Sequence, residues 1–428
     1  MKEQILNFIW KTKYFTFNKQ TTSNGELIEV IDPGEINSDS GPDFFNAKVK
    51  IGDTTWAGNV EMHIKSSDWY IHNHHTDSAY DNVILHVVIQ NDKPATNSKG
   101  QEIPTLEVKY PDALEWNLLH LTSSGSWIPC DDTFKSFDTF SVRMWLESLL
   151  IERLEQKTKQ VFELVEKAKG SWEEAFYQSV ARSFGLKVNA LPFELLAQTT
   201  PLKVLSKHKD NLFQVEAILF GQSGLLSSDM RGCDDYSMKL HKEYQYLQHK
   251  FNLSPIQGHL WKFLRIRPTA FPTIRIAQFA KLVHQSSSLF SKVIEVDDVK
   301  DIIPLFKIDT SEYWEMHYNF CKESKRTKKR IGTDTLSIIA INSIVPFIFA
   351  YGISRSDAKL KGKAIKLLES IQPEKNSITT GFEGLGVEAK SAYDSQALIQ
   401  LKTSYCDPKK CIYCHLGAKY LLKSIEEH

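Results

Sequence analysis

Acidic and imidazole side chains are concentrated in the segment Gly41–Asp92 of this chain. Asp43 follows a proline, and Glu61, His63 and Lys65 alternate along a second run of the segment. The remaining candidates are the histidines His72, His74, His75 and His86. Carboxylate oxygens and neutral imidazole nitrogens are the usual protein ligands of divalent metal ions. The segment therefore predicts a metal site.

The first interpretation of this segment is a catalytic site built on two strands. Alternate residues of a strand share one face, so Glu61, His63 and Lys65 should point the same way. Asp43, at the start of the preceding strand-like run, can then join Glu61 on one Mg²⁺ or Mn²⁺. A basic residue two positions after Glu61 can orient a water or stabilise developing negative charge. The predicted catalytic residues are Asp43, Glu61, His63 and Lys65, with Asp43 and Glu61 also as metal ligands.

Two other interpretations of the same residues stay open. The first is a histidine-rich centre, with ligands drawn from His63, His72, His74 or His75 and from Asp77 or Asp81, a set that suits Zn²⁺ or Mn²⁺. The second is purely structural, with Glu61 and His63 hydrogen-bonded on a solvated sheet face and the histidine run in a polar loop. His86 lies in an apolar run, where a single histidine is usually a hydrogen-bonded core residue.

Cysteines form a second cluster near the C-terminus. Cys406, Cys411 and Cys414 follow the spacing C-x4-C-x2-C. Three thiolates brought together around a tight turn bind Zn²⁺ or an iron–sulfur cluster. The fourth ligand is open among Cys130, Cys233, Cys321 and His415. The alternative is a helix N-terminus with three buried or free thiols.

Three arginines surround a proline-containing turn. Arg265, Arg267 and Arg275 lie around Pro268 and Pro272, just before a helix-like run. Guanidinium groups near a helix N-terminus favour phosphate or carboxylate, so these three are predicted to bind nucleic acid. The equal alternative is that they brace the turn through carbonyl groups and acids.

Composition limits the classes of partner. The chain has 428 residues, of which 42% are hydrophobic and 24% are charged, as in soluble globular proteins. Lys+Arg and Asp+Glu are both 52, so nucleic-acid binding would need a local patch. The longest apolar stretch, residues 336–351, falls short of a span of about 20 residues and predicts a buried helix. Six cysteines are too few for a disulfide scaffold, which predicts reduced thiols, a cytoplasmic location and no membrane contact.

The elements that must position these residues change character along the chain. Short runs rich in Val, Ile and Thr, separated by turn residues, predict strands at 27–31, 47–51, 55–64, 83–90 and 105–110. A helix at 2–11 precedes them, giving a small α/β domain with a mixed sheet over residues 1–112. From residue 137, apolar residues recur at three- and four-residue spacing and predict a large all-α domain over 137–428. The predicted fold class is α+β.

The first cluster also resembles a known superfamily. A Pro-Asp pair, a hairpin and then Glu-x-Lys are the signature of the PD-(D/E)XK nucleases, whose core order is αβββαβ. Pro42–Asp43 and Glu61-Met62-His63 resemble this signature, with His in place of Lys, within residues 1–110. The resemblance implies a restriction-endonuclease-like fold, the Lys role at His63 or Lys65, and Glu35 as an additional metal ligand. Some superfamily members hold an iron–sulfur cluster through one distant and three C-terminal cysteines, an arrangement similar in outline.

Three longer segments resemble an uncharacterised bacterial family described as a domain of unknown function. They are GPDFFNAKV…GNVEMHIKSSDW…HVV, RPTAFPTIRIAQFA and YCDPKKCIYCHLG. This family implies no activity. The predicted function is a metal-dependent nucleic-acid phosphodiesterase of bacterial DNA or RNA metabolism, with nucleic acid as the partner class. The alternatives are a non-catalytic nucleic-acid-binding or assembly protein with a degenerate nuclease fold, and a His/Asp metal hydrolase of another substrate class.

Overall fold

The structure of the protein is a computed structural model. It describes residues 2–14, 20–37, 39–226, 233–286 and 288–426. The chain divides into two compact units, Met1–Trp145 with Leu401–His428, and Leu146–Gln400. The C-terminal cysteine segment therefore belongs to the N-terminal unit, whereas the sequence prediction placed it in the helical domain 137–428. The α+β class and the mixed N-terminal sheet are confirmed.

The N-terminal unit is built on a seven-stranded sheet. Its strands are β1 (Gln20–Thr21), β2 (Leu27–Asp32), β3 (Glu35–Ile36), β4 (Phe44–Ile51), β5 (Thr54–Lys65), β6 (Val83–Gln90) and β7 (Thr105–Glu107). Its helices are α1 (Lys2–Thr12), α2 (Asp68–Ile71), α3 (Asp112–Ser123), α4 (Asp131–Phe134), the start of α5 (Thr139–Lys167) and α20 (His415–Glu426).

Strand β5 is the centre of this sheet. The strand order is β1-β2-β4-β5-β6-β7, and β3 pairs with the outer part of β4. Strands β4 and β5 are antiparallel, whereas β5, β6 and β7 run parallel. The crossover from β5 to β6 carries only α2 and two short 3₁₀ turns. A helix, three antiparallel strands, a crossover and a parallel strand thus follow one another in the predicted order.

Opposite faces of β5 have different roles. Val60 and Met62 point into the main apolar core, which also contains Phe44 and Trp10. Glu61 and His63 point to the other face. Cys411 and Leu421 belong to the same core cluster as α1 and α3, which explains why the C-terminal segment belongs to this unit.

The second unit is mainly helical. Its helices are the rest of α5, then α6 (Trp172–Phe184), α7 (Ala190–Thr199), α8 (Leu202–Ser206), α9 (Leu212–Gln222), α10 (Asp235–Phe251), α11 (Pro272–Gln285), α12 (Leu289–Glu295), α13 (Val299–Ile302), α14 (Glu312–Met316), α15 (Thr333–Ile339), α16 (Val345–Ser354), α17 (Ala358–Ser370), α18 (Ser377–Gly384) and α19 (Ala392–Gln400). Side chains cap several of them, as Asp234 does by accepting the Ser237 N–H at 2.8 Å. A short ribbon of β8 (His317–Asn319) and β9 (Lys322–Glu323) was not predicted.

One helical segment in the described part of the chain is long and apolar enough to cross a membrane. It is Thr333–Ser354, 22 residues, in which α15 and α16 are joined by the π-helix Ala340–Ile344. It extends the predicted apolar stretch by three residues at each end. Its most apolar window is 72% buried inside the protein, consistent with a core helix of a soluble protein.

Candidate metal centre

Strand pairing places Asp43 directly beside Glu61. Phe44 pairs with Val60, so the preceding residue, Asp43, lies opposite Glu61. Each of the two carboxylates accepts a hydrogen bond from a backbone N–H of the facing strand. The Asp43 N–H donates to Glu61 Oε2 at 3.1 Å, and the Met62 N–H donates to Asp43 Oδ2 at 3.0 Å. A bulge immediately after this pair, with Asn46 at φ 57°, bends β4 and fixes how Asp43 faces its partner.

Four histidines gather on the same face as Glu61. His63 lies two residues further along β5, and His86 is paired with Glu61 across the parallel β5–β6 ladder. The crossover supplies the other two, His72 and His74. Between them Asn73 adopts a left-handed conformation (φ 61°), which asparagine tolerates better than most residues.

Ligand atoms of three histidines converge on one point, and an oxygen of Glu61 lies beside two of them. His63 Nε2 lies 3.0 Å from His72 Nδ1. Glu61 Oε1 lies 3.3 Å from His74 Nε2 and 3.7 Å from His63 Nε2. One ligand atom from each of the three histidines lies within 4.8 Å of the others. Glu61, His63 and His74 are buried, whereas His72 is exposed, so the point is open to solvent on one side.

The spacing fits a transition-metal ion. Metal–ligand bonds of about 2.0 to 2.1 Å place tetrahedral ligand atoms about 3.3 to 3.4 Å apart. The distances from 3.0 to 3.7 Å bracket that value. In addition, His74 Nε2 is buried and makes no well-aligned hydrogen bond, although Glu61 Oε1 lies 3.3 Å away. A buried polar nitrogen without a hydrogen bond is costly, and a bound cation would satisfy it.

A second layer of side chains fixes the imidazole rings. His86 Nε2 lies 2.9 Å from His63 Nδ1, the nitrogen that faces away from the converging point. Tyr80 stacks on His74 with ring centroids 3.7 Å apart. Trp69 is fully buried beneath the rings of His63, His74 and His86, and its indole N–H donates to the Thr96 carbonyl at 2.9 Å. Partners of this kind orient metal-binding histidines.

Burial and like charge set the protonation of this centre. Burial, reinforced by His72 and His74, lowers the pKa of His63 to about 3. Burial and the neighbouring His63 likewise lower the pKa of His86 to about 3. Burial and the adjacent Glu61 carboxylate raise the pKa of Asp43 to about 7. His63 is therefore a neutral imidazole at pH 7, as a metal ligand must be, and does not provide the positive charge of the Lys that it replaces.

Other predicted residues of the segment lie outside the convergence. Lys65 is exposed at the end of β5, and Glu35 is exposed on β3. Neither has a described contact with Glu61 or the histidines. Asp77 accepts the Ala79 N–H at 2.9 Å, and Asp81 binds the Ser98 backbone and hydroxyl. Both aspartates thus serve turns of the crossover.

The histidine-rich interpretation anticipated His63, His72 and His74, but the sequence did not assign His86 and Tyr80 to the cluster. His86 was expected to be a hydrogen-bonded core residue. It is buried and contacts His63, but its Nδ1 has no partner. Only the β5–β6 register could have indicated its place beside Glu61.

The C-terminal cysteines gather with Cys130. Cys406, Cys411 and Cys414 interact electrostatically with one another, and Cys130 interacts with all three. Two further candidates for the fourth ligand, Cys233 and Cys321, form a disulfide with each other, so the predicted reduced state is wrong for this pair.

The three arginines are placed differently from one another. Arg275 is buried, and its guanidinium donates to Gln278 Oε1 at 3.0 Å and to Thr335 Oγ1 at 2.8 Å. It braces the helical core, which favours the bracing alternative for this residue, and a nucleic-acid contact through Arg275 stays a prediction. Arg265 and Arg267 are exposed, and their role stays a prediction.

Comparison with known proteins gives one match. The family described as Protein of unknown function (DUF2851) matches residues 3–377. The chain belongs to this family. The match contains the whole histidine cluster and Cys130 and ends before the C-terminal cysteines. No curated protein and no solved structure matches the chain, so no relative supports the resemblance to PD-(D/E)XK nucleases.

Proposed function

We propose that this protein is a metal-dependent hydrolase that cleaves phosphodiester bonds in nucleic acid. The observation that carries the proposal is the convergence of the His63, His72 and His74 imidazoles, with the Glu61 carboxylate 3.3 Å from His74 and 3.7 Å from His63. Four protein ligands fill a tetrahedral site, so hydrolysis needs a further coordination position for water. Mn²⁺ and Fe²⁺ offer such a position, and Zn²⁺ does so when it becomes five-coordinate. The proposed ligands are Glu61, His63, His72 and His74.

The ligand set indicates which metal this site would hold. Imidazole nitrogens suit Zn²⁺, Fe²⁺ and Mn²⁺, whereas Mg²⁺ requires oxygen ligands in nearly regular octahedral geometry. Three nitrogens and one carboxylate oxygen therefore favour Zn²⁺, Mn²⁺ or Fe²⁺ over the Mg²⁺ that the sequence analysis included. Asp43, also predicted as a ligand, lies beside Glu61, and we propose it as a neighbour of the metal because the short contacts to the histidines come from Glu61.

The side chains of the site would have different roles in hydrolysis. Glu61 and the histidines hold the ion, and His86 fixes His63 through its second ring nitrogen. Asp43 lies beside Glu61 with its Oδ1 available to accept a proton from an attacking water. A bound cation would lower the pKa of such a water and neutralise charge developing on a phosphate oxygen.

The phosphodiester substrate is supported by the order of elements. A helix, three antiparallel strands, a crossover and a parallel strand correspond to αβββαβ, and Asp43 and Glu61 stand on β4 and β5 as the superfamily resemblance implies. Exposed Arg265 and Arg267 remain candidates for phosphate contacts. A cytoplasmic location remains a prediction.

A hydrolase of another substrate class is the second candidate. It is favoured because His63 takes the position of the superfamily's Lys as a buried imidazole, and Lys65 is exposed away from the cluster. The site therefore lacks the cation that a PD-(D/E)XK nuclease uses at this position. Hydrolysis of a neutral ester or an amide needs such a cation less than hydrolysis of a negatively charged phosphodiester does.

The experiment compares cleavage by metal-free protein reloaded separately with Zn²⁺, Mn²⁺, Fe²⁺ and Mg²⁺. Substrates are single- and double-stranded DNA and RNA, bis(p-nitrophenyl) phosphate, and a carboxylic ester and an amide. The variants are Glu61→Gln and His74→Ala, and His120→Ala, an exposed histidine on α3, is the matched control. Phosphodiester cleavage lost in both site variants and kept in the control supports the proposal.

Two other results are decisive against the proposal. Metal-dependent cleavage of the ester or amide alone establishes the second candidate. No cleavage of any substrate by protein that binds the metal indicates the non-catalytic binding or assembly protein.

A further inference from the structure

The four cysteines of the N-terminal unit are the strongest cluster of metal-binding groups outside the proposed catalytic centre. They come from two distant parts of the sequence, Cys130 before α4 and Cys406, Cys411 and Cys414 before α20. Cys411 is buried in the main core, and Cys130 packs against the same core. We propose that these four thiolates bind one thiophilic metal group that joins the C-terminal segment to the N-terminal unit.

N–H donors surround the sulfur of Cys414. The Leu416 and Gly417 N–H groups, in the first turn of α20, donate to its sulfur. A capping oxygen usually takes this position, and a neutral thiol is a weak acceptor there. The buried indole nitrogen of Trp145 has no oxygen or nitrogen partner and interacts with the same sulfur. Such N–H groups around a metal-bound thiolate orient it and tune the metal.

The backbone is shaped to bring the cysteine turn against α20. A Cβ atom at Gly417 would lie 2.2 Å from the Cys411 carbonyl oxygen, so only glycine allows this approach. The Cys414 N–H donates to that same carbonyl at 3.1 Å, closing a tight turn between two of the cysteines. A π-helix, Leu401–Cys406, precedes this turn and ends at Cys406. π-helices are rare and are frequent at functional sites.

The spacing of the sulfurs bears on the kind of metal group. Among the described residues, His63, His72 and His74 are the group of three whose ligand atoms all lie within 4.8 Å of one another, so no three of the four sulfurs lie that close together. A tetrahedral Zn²⁺ site with bonds of about 2.3 Å needs sulfurs about 3.8 Å apart. An iron–sulfur cluster, whose iron and sulfide ions separate the thiolates, fits a wider spacing. Both groups use the same four thiolates.

The first test measures metal in full-length protein purified without oxygen. Zinc, iron and acid-labile sulfide are determined in the parent, in Cys130→Ser, and in a double variant, Cys233→Ser with Cys321→Ser. In Cys130→Ser we expect the loss of either one zinc per chain or equal amounts of iron and sulfide, whereas the double variant should keep the metal of this site and any metal at the histidine cluster. Zinc without sulfide and iron with sulfide each support the four-cysteine centre and distinguish its two forms. A parent that contains neither overturns the proposal, as does Cys130→Ser with the full metal content.

A second measurement needs no variant and separates this site from the histidine cluster. Native parent protein is alkylated with iodoacetamide before and after the metal is removed with a chelator, and each cysteine is followed by mass spectrometry. The proposal expects Cys130, Cys406, Cys411 and Cys414 to gain reactivity together when the metal leaves. If the reactivity of Cys130 is unchanged by metal removal while the other three respond, Cys130 is not a ligand.

Discussion

A buried glutamate in the helical unit gives the most quantitative prediction. Glu216, on α9, is 1% exposed and accepts hydrogen bonds from Tyr236 and from the Ser311 hydroxyl at 2.8 Å. Burial raises its pKa from 4.5 to about 7 in spite of these bonds. The folded state therefore holds this proton over a pH range in which the unfolded chain has lost it. The contribution of Glu216 to the free energy of unfolding is therefore greatest below pH 4.5 and falls as the pH rises towards 7.

The size of the effect follows from the shift. Each pKa unit corresponds to about 1.4 kcal/mol, so ionising the buried group costs on the order of 3 kcal/mol above pH 7. Glu216→Gln removes that cost and keeps the shape, since the two hydroxyls can bond to an amide. We expect the variant to gain roughly 2 to 3 kcal/mol over the parent between pH 5 and pH 8.

Hydrogen exchange is the suitable assay, because a chain with two units need not unfold in one step. The opening free energy of the peptide Leu212–Gln222 is measured at pH 5 and pH 8 in the parent, in Glu216→Gln, and in Glu295→Gln, an exposed control on α12. The control should show the same difference from the parent at both pH values. A difference between Glu216→Gln and the parent that does not change with pH would refute the reasoning.

Three further predictions follow from packing, ring orientation and covalent pairing. Gly221→Ala should destabilise the protein by about 1 to 3 kcal/mol, because its Cβ would lie 2.1 Å from the ring of a facing tyrosine. Gly362→Ala, with open space around the new Cβ, should be neutral or stabilising by up to about 1 kcal/mol in the same thermal unfolding series. His86→Phe should weaken Zn²⁺ binding about 10- to 100-fold in a competition titration, and unchanged affinity would argue against its orienting role. Under denaturing, non-reducing conditions Cys233 and Cys321 should resist alkylation and react only after reduction, so labelling without reductant would exclude the disulfide.

The strand part of the candidate site was predictable because it depends on local periodicity. Glu61 and His63 are separated by two residues, and a strand places such residues on one face whatever surrounds them. The helical unit was likewise predictable as a class from three- and four-residue spacing. The choice between the nuclease-like and the histidine-rich interpretation depended on the crossover, and sequence alone does not fix its path.

The remaining features depend on contacts between distant residues. His74 reaches Glu61 because Asn73 turns the chain back and Tyr80 stacks on the imidazole. Neither effect produces a periodic pattern in the sequence. The Cys233–Cys321 disulfide spans 88 residues, so no spacing rule indicated it. The resemblance to PD-(D/E)XK nucleases, which no relative supports, concerned Asp43 and Glu61, and these lie side by side on neighbouring strands. The Lys role at His63 or Lys65 stays a prediction.

The return of the C-terminal segment to the N-terminal unit has a consequence for synthesis on the ribosome. The segment from Leu401 completes a core that α1 begins, and roughly 250 residues of the helical unit are translated in between. At about 5 to 20 residues per second, the growing chain would carry an unfinished apolar core for roughly 10 to 50 s. During that time the exposed faces of the sheet are available to chaperones or to aggregation. A shortened chain that stops before Leu401 would keep this vulnerability permanently, even though the helical unit would be complete.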